Sequence, residues 1–185
     1  MNTVARAKAI ITSPKTEWPV IDAEPLDTGE LLTKYILPLA AIGPIAAFIG
    51  MTVFGFGGMF RVPVGTALGM AIATYILSVI AVFVVAWVAN ALAPNFGAQQ
   101  SMPQAIKLAA YCSTPSWLAG IFGLMPALAI LALIGGLYGL YLLYLGIPVM
   151  MKAPADKAMT YTIVIIIATI VLYFVIGMLT RGIVY

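Results

Sequence analysis

No Asp, Glu or His occurs between Lys34 and Lys152, and the only charged residues inside that mostly apolar stretch are Arg61 and Lys107. No water-soluble core needs an uncharged run of this length, whereas one membrane span requires about 20 apolar residues. The stretch therefore predicts a polytopic membrane protein. The membrane part also lacks most residues that could act as general acids, general bases or metal ligands, because Asp, Glu and His usually serve in those roles.

Composition excludes several other classes of protein. Only 8% of the 185 residues are charged, against about 25% in an average soluble protein. The net charge of +3 comes from scattered basic residues, so no nucleic-acid-binding surface is indicated. With Cys112 as the single cysteine and no histidine, we expect no intrachain disulfide, zinc cluster, His-ligated haem or other cofactor. The apolar stretch Ala9–Ile11 is too short for a signal peptide, so we expect none.

Prolines, glycines and charges divide the apolar region into five segments, which we predict to be transmembrane helices. Helices are expected because unpaired backbone groups are costly in lipid, and continuous hydrophobicity excludes a β-barrel. The fold class is thus all-α, with residues 1–34 as an interfacial segment and residues 35–185 as a five-helix domain. Tight turns are expected at residues 57–63 and at Pro126. The predicted spans are Tyr35–Phe56, Val64–Leu92, Ala105–Met125, Ala127–Met150 and Ala158–Thr180.

Basic residues near the span ends predict the orientation, because short positively charged loops stay in the cytoplasm. An inside N-terminus leaves Arg61 and Arg181 outside, which favours a cytoplasmic N-terminus and an outside C-terminus. Lys107 lies a few residues into the third span, where its stem can carry the ammonium to the cytoplasmic surface. The basic residues on the inner side are Arg6, Lys8, Lys15, Lys34, Lys107, Lys152 and Lys157.

The first 34 residues contain five of the six carboxylates in the chain. Val4 to Ile11 is predicted as an amphipathic helix with Arg6 and Lys8 toward lipid headgroups, ended by Ser13–Pro14. Trp18 suits an interfacial anchor. The acidic part that follows is either a docking site or gate that pairs with basic residues, or a solvated polar flank. The candidate docking or gate residues are Trp18, Glu24, Lys107 and Lys157.

An unusual polar run lies in the third predicted span, from Tyr111 to Trp117. Proline inside it removes one backbone hydrogen bond, so we expect a kink and a free Tyr111 carbonyl that nearby hydroxyls partly satisfy. Such a helix either lines a cavity or is a structural bend. A catalytic thiol is not expected, because no histidine can act as its base. The candidate cavity or kink residues are Tyr111, Cys112, Ser113, Thr114, Pro115 and Tyr138.

Small residues spaced four apart predict close helix packing, either within the chain or at the interface of a homo-oligomer. The intrachain role is favoured in a five-helix protein. Tyr138, Tyr141 and Tyr144 follow in the fourth predicted span and are interpreted as interface anchors rather than a ligand groove. The packing residues are Gly65 and Gly69 in the second span and Gly135 and Gly139 in the fourth.

Three motifs occur together in this chain. They are Ser13-Pro14 with Glu17-Trp18-x-x-Ile21-x-x-Glu24, then Tyr35-Ile36-Leu37-Pro38, and Ala110-Tyr111-Cys112-Ser113-Thr114-Pro115. This combination resembles bacterial members of the Yip family, the Ypt/Rab-interacting membrane proteins. The resemblance implies five spans, a cytosolic N-terminus and a prokaryotic plasma (inner) membrane. Eukaryotic members resemble adaptors for small GTPases, but they carry a long polar N-terminal domain, so GTPase binding is not carried over to this chain.

Two classes of function remain. The first is a non-enzymatic membrane scaffold or adaptor that acts on protein partners or lipid organisation, with residues 18–30 as its docking segment. The second is a small permease or lipid transporter with a cavity near the kinked third helix, which the odd number of spans disfavours. An enzyme is not expected, since no nucleophile with a base and no set of metal ligands can be assembled.

Overall fold

The computed structural model describes residues 2–55, 61–125 and 128–184. Two short helices, α1 (Thr3–Thr12) and α2 (Pro14–Ala23), precede five longer ones. Among the described residues there is no strand, so the predicted all-α fold is confirmed. The longer helices are α3 (Thr28–Phe54), α4 (Val64–Leu92), α5 (Met102–Ala119), α6 (Ala129–Met150) and α7 (Ala155–Val184).

Three stretches of the described residues are long and apolar enough to cross a membrane. They are Thr28–Phe54, Val64–Phe96 and Ile130–Met150. The predicted second span has the bounds of α4. Residues 57–60 of the predicted turn at residues 57–63, and the predicted turn at Pro126, lie outside the described residues.

Helix α3 begins earlier than the predicted first span. The side chain of Asp27 caps it by accepting a hydrogen bond of 2.9 Å from the backbone N–H of Glu30. The helix includes two π-helical turns, at Leu32–Ile36 and Gly50–Phe54. The predicted boundary at residue 34 therefore falls inside a helix, since the capping aspartate precedes the first apolar run.

The buried core is concentrated at one end of the bundle, which we call the packed end. In α4, Val82, Ala86 and Ala89 are buried, whereas Leu68 and Ile72 of the same helix are exposed. The N-terminal half of α5 and the C-terminal end of α6 supply much of the same core. Exposed apolar side chains at the opposite end suit contact with lipid tails, which are as apolar as leucine.

Three polar connections meet at the packed end. The Gln99 N–H donates a hydrogen bond of 2.7 Å to the Met151 carbonyl, which joins the α4–α5 connection to the α6–α7 connection. Lys152 forms an ion pair with Asp22, which joins them to the N-terminal segment. Gly97 takes the left-handed conformation, with φ of 68°, at the end of the 3-10 turn Ala93–Phe96. These are the segments that the charge distribution assigns to a common side of the membrane.

The predicted packing glycines divide into two groups. A Cβ placed on Gly139 would lie 2.7 Å from the Cys112 carbonyl oxygen, and one on Gly135 would lie 2.8 Å from that of Pro115, so α5 and α6 pack backbone to backbone. A Cβ on Gly65 or Gly69 would meet no atom within 4 Å. Gly65 and Gly69 therefore lie at no close contact among the described residues, although Ala67 between them is buried, and their packing role stays a prediction.

Candidate functional site

Helices α1 and α2 form an antiparallel pair that we call the N-terminal hairpin (Thr3–Ala23). Asn2 caps α1 by accepting a hydrogen bond of 3.1 Å from the Ala5 N–H, and Pro14 starts α2, where its missing N–H costs nothing. Ile10, Trp18 and Ile21 of the hairpin are fully buried. The segment is therefore part of the fold rather than a solvated flank.

The hairpin lies along the C-terminal half of α6. At its tip, the Tyr138 hydroxyl donates a hydrogen bond of 2.7 Å to the Ile11 carbonyl. A Cβ placed on Gly146 would lie 2.8 Å from the Trp18 ring, and at the base of the hairpin Asp22 pairs with Lys152. These contacts show that α2 runs parallel to α6, with the Ser13 turn beside the middle of that helix.

Trp18 anchors the hairpin through a chain of aromatic contacts. Its ring meets that of Tyr111 edge-on at 6.5 Å, and Tyr111 meets Tyr35 at 4.8 Å. The Tyr35 and Thr114 hydroxyls share a hydrogen bond of 2.8 Å. Trp18 is thus completely buried rather than an interfacial anchor, because α5 and α6 pack against a ring that the sequence places near lipid headgroups.

Lys107 is only 4% exposed, and its ammonium lies under the C-terminal end of α2. It donates hydrogen bonds to the carbonyl oxygens of Glu24 (2.6 Å), Ile21 (2.8 Å) and Asp22 (3.4 Å). Helix C-termini carry unpaired carbonyls and a partial negative charge, so a buried cation is well placed here. The ammonium is buried under the hairpin rather than carried to an exposed surface, because these carbonyls lie within its reach.

Arg6 pairs with the carboxylates of both Glu17 and Glu24 and so joins α1 to the two ends of α2. Burial alone would lower the pKa of Arg6, but the Glu24 and Glu17 carboxylates outweigh burial and raise the pKa above its ordinary value. The guanidinium therefore stays charged and points inward rather than toward lipid headgroups. Sequence reasoning missed this network, because the spacing of Arg6 and Glu17 does not indicate that the chain reverses at Ser13.

A polar cavity of about 530 Å³ lies between the hairpin and the start of α3. Charges of both signs line it, so it suits a polar or zwitterionic group or a charged side chain of a partner. Among the described residues, no group of three or more His, Cys, Asp and Glu side chains is arranged to hold a metal ion. Residues lining the cavity include Arg6, Glu17, Glu24, Glu30, Lys107 and Tyr111.

The predicted cavity or kink residues face two directions. Tyr111, Thr114 and Tyr138 contact the hairpin or α3, as described above. Cys112 and Ser113 border a separate apolar groove of about 420 Å³ between α5, α6 and α7. Their side chains donate hydrogen bonds to the Ala109 carbonyl, at 3.3 Å and 2.8 Å, rather than to that of Tyr111.

Pro115 lies inside a helix, where its kink stays a prediction, and Lys157 lies apart from the other candidate docking or gate residues. Helix α5 continues through Pro115 to Ala119 as one element. Lys157 is exposed and lies beside Gly97, away from the hairpin. Of the four candidate docking or gate residues, the structure thus brings together Trp18, Glu24 and Lys107, while Lys157 stays apart.

Comparison with known proteins identifies relatives across most of the chain. The Yip1 domain family model matches residues 8–177. The chain is 29% identical over 160 residues to the Inner membrane protein YohC of Escherichia coli K12, covering 83% of this chain and 82% of that protein, and the same values hold for the protein of strain CFT073. No solved structure matches. The resemblance to the Yip family is therefore confirmed.

Proposed function

This chain belongs to the Yip1 domain family, and from that premise we propose that it is a non-enzymatic scaffold or adaptor of the prokaryotic inner membrane. In this proposal, five helices span the membrane, the N-terminus is cytoplasmic and the C-terminus is outside. Residues 1–34 form the cytoplasmic or interfacial segment that carries the docking surface, and residues 35–185 form its membrane support. The relatives named above carry an inner-membrane description, which supports this location.

The observation that carries the proposal is the way in which the N-terminal hairpin is held. Buried Trp18 and Lys107 fix the hairpin to the bundle, while Val4 and Val20 of the same hairpin are 78% and 49% exposed. Exposed aliphatic side chains on an ordered surface supply apolar contact area for a protein partner. A surface that is already ordered binds a partner without a large cost in conformational entropy.

We favour a protein partner for this exposed surface, which we call the docking face and define by Val4, Val20 and the acidic rim of the polar cavity. Exposed aliphatic groups supply apolar contact area, and Glu24, which is partly exposed in its ion pair with Arg6, can meet a basic side chain at the rim. Scaffolding of this kind requires no nucleophile, base or cofactor.

The small-permease alternative is not carried forward. Its predicted cavity depended on Tyr111, Thr114 and Tyr138, and each of these makes its contacts with the hairpin or with α3. The groove beside Cys112 is formed by other residues and is mostly apolar. A solute path along the predicted constellation therefore has no support.

The test uses point variants rather than removal of the N-terminal segment, because truncation would also remove buried Trp18 from the core. The double variant V4D/V20D should insert and melt like the wild type but lose the protein that cross-links to the wild type in native membranes. Met159, which is 64% exposed at the same end of the bundle, provides the control variant M159D. Retention of the partner by V4D/V20D, or equal loss in M159D, contradicts the proposal.

A further inference from the structure

A second polar cavity, of about 390 Å³, lies between the tip of the N-terminal hairpin and α6. Its described lining consists mainly of hydroxyl groups, and Lys15 is its only charged residue. The lining includes Thr12, Ser13, Lys15 and Thr16 of the tip together with Tyr138 and Tyr141 of α6. We call this cavity the tip pocket.

Two basic residues of the hairpin, Lys8 and Lys15, are exposed, and of these two only Lys15 lines the tip pocket. Arg6 and Lys152 pair with carboxylates, and Lys107 is surrounded by carbonyl oxygens. Within the described part of the chain, Lys15 has no carboxylate or carbonyl partner, and the Ser13 hydroxyl makes no hydrogen bond. The tip pocket thus offers a cation and an unused hydroxyl donor to an anion from outside the chain.

The position of the tip pocket identifies the kind of anion. Tyr141 precedes Met150 by roughly 14 Å along α6, at about 1.5 Å per residue, so exposed Lys15 stands beside a candidate membrane span. An unpaired charge in this position is costly unless it meets a counter-ion. Lipid phosphates are the anions available at a membrane surface.

Aromatic residues mark the same level on neighbouring helices. Val85, Leu140 and Leu143 border one groove, so these parts of α4 and α6 lie side by side. Trp87 of α4 and Tyr141 of α6 are both exposed and lie next to the residues that border this groove. Tryptophan and tyrosine are enriched near lipid headgroups, which agrees with a single headgroup bound at the hairpin tip.

An apolar track leads away from the tip pocket toward the open end of the bundle. Ile130, Ile134 and Leu137 precede Tyr141 at helical spacing and are all exposed on α6. A ligand that extends from the pocket along this track needs an anionic head and long apolar chains. Free phosphate satisfies only the first of these two requirements.

We propose that the tip pocket binds the headgroup of an anionic phospholipid of the inner leaflet. Lys15 pairs with the phosphodiester, the Ser13 hydroxyl donates a hydrogen bond to it, and the acyl chains follow Leu137 and Ile134. This site goes beyond protein docking and uses different residues from the docking face, so either can fail without the other.

The test measures binding of phosphatidylglycerol to the delipidated full-length protein in neutral detergent by native mass spectrometry. K15Q should bind on the order of fivefold more weakly, the effect expected for one basic residue at an anionic surface. K15R should bind like the wild type. Lys8, exposed on the same hairpin but outside the pocket lining, provides the charge-matched control K8Q, which should stay within about twofold of the wild type.

Equal weakening in K15Q and K8Q would overturn the proposal, as would displacement of the lipid by millimolar inorganic phosphate. Melting curves of both variants check that they fold. A second experiment needs no change at Lys15: a photoreactive p-benzoylphenylalanine in place of exposed Leu137 should cross-link phosphatidylglycerol in native membranes. Absence of any lipid adduct there would also overturn the proposal.

Discussion

Replacing Lys107 by methionine should release the N-terminal hairpin without unfolding the membrane helices. Methionine keeps a long, flexible apolar stem but removes the ammonium that holds the last carbonyls of α2. The carbonyls of Ile21 and Glu24 then lose their donor. Because they are partly shielded from water, the hairpin must open to rehydrate them.

The expected cost follows from the two short hydrogen bonds, at 2.6 Å and 2.8 Å. A hydrogen bond to a charged group contributes about 1.5–3 kcal/mol, and part of that gain is offset because the ammonium of Lys107 no longer has to be desolvated. We therefore expect the K107M substitution to destabilise the closed hairpin by about 2–4 kcal/mol. This corresponds to opening that is more frequent by roughly 30- to 1,000-fold.

Hydrogen–deuterium exchange of the full chain in nanodiscs measures this opening directly. Amides of α1 and α2 should exchange faster in K107M, whereas those of α4 keep wild-type rates. Lys157, an exposed cation at the same end that does not touch the hairpin, provides the control K157M. Unchanged hairpin exchange in K107M, or equal acceleration in K157M, would refute the assignment of Lys107 as the residue that holds α2.

Two further predictions concern the contacts along α6. Gly146→Ala places a Cβ 2.8 Å from the Trp18 ring and should lower the melting temperature by several degrees, whereas Gly136→Ala, which meets nothing within 4 Å, should leave it unchanged or slightly raised. Equal melting of the two variants would contradict close packing of the hairpin. Asp22→Lys should cost at most about 1 kcal/mol, because the pair with Lys152 is partly exposed, and the charge swap D22K/K152D should restore the loss in a chemical-denaturation series.

The helices could be predicted from the sequence because each apolar segment has only one stable conformation in lipid. The bounds of α4 follow from Pro63 at one end and Pro94 at the other. The position of Lys107 could not be predicted in this way. Its carbonyl partners precede it by more than 80 positions, and only the reversal of the chain at Ser13 brings them near.

Trp18 illustrates the same limit for an apolar side chain. A tryptophan ahead of a membrane span is ordinarily an interface anchor, and nothing in its neighbours along the chain indicates otherwise. Its burial depends on the missing side chain of Gly146, which lies far away in the sequence. Sequence reasoning could group Trp18, Glu24 and Lys107 as residues that act together but could not supply their geometry, because no local spacing encodes it.

The uneven packing of the bundle explains why the hairpin belongs to the fold. Apolar side chains gain from leaving water, but they gain little from leaving lipid tails for another helix. The packed end carries Ala86 and Ala89 in a dense core together with the buried hairpin residues, whereas Leu68 and Ile72 remain uncovered. The hairpin therefore covers the part of the bundle where burial is favourable. It follows that a partner or lipid that binds the hairpin acts on the best-packed part of the protein, so binding at either surface should raise the melting temperature of the whole bundle.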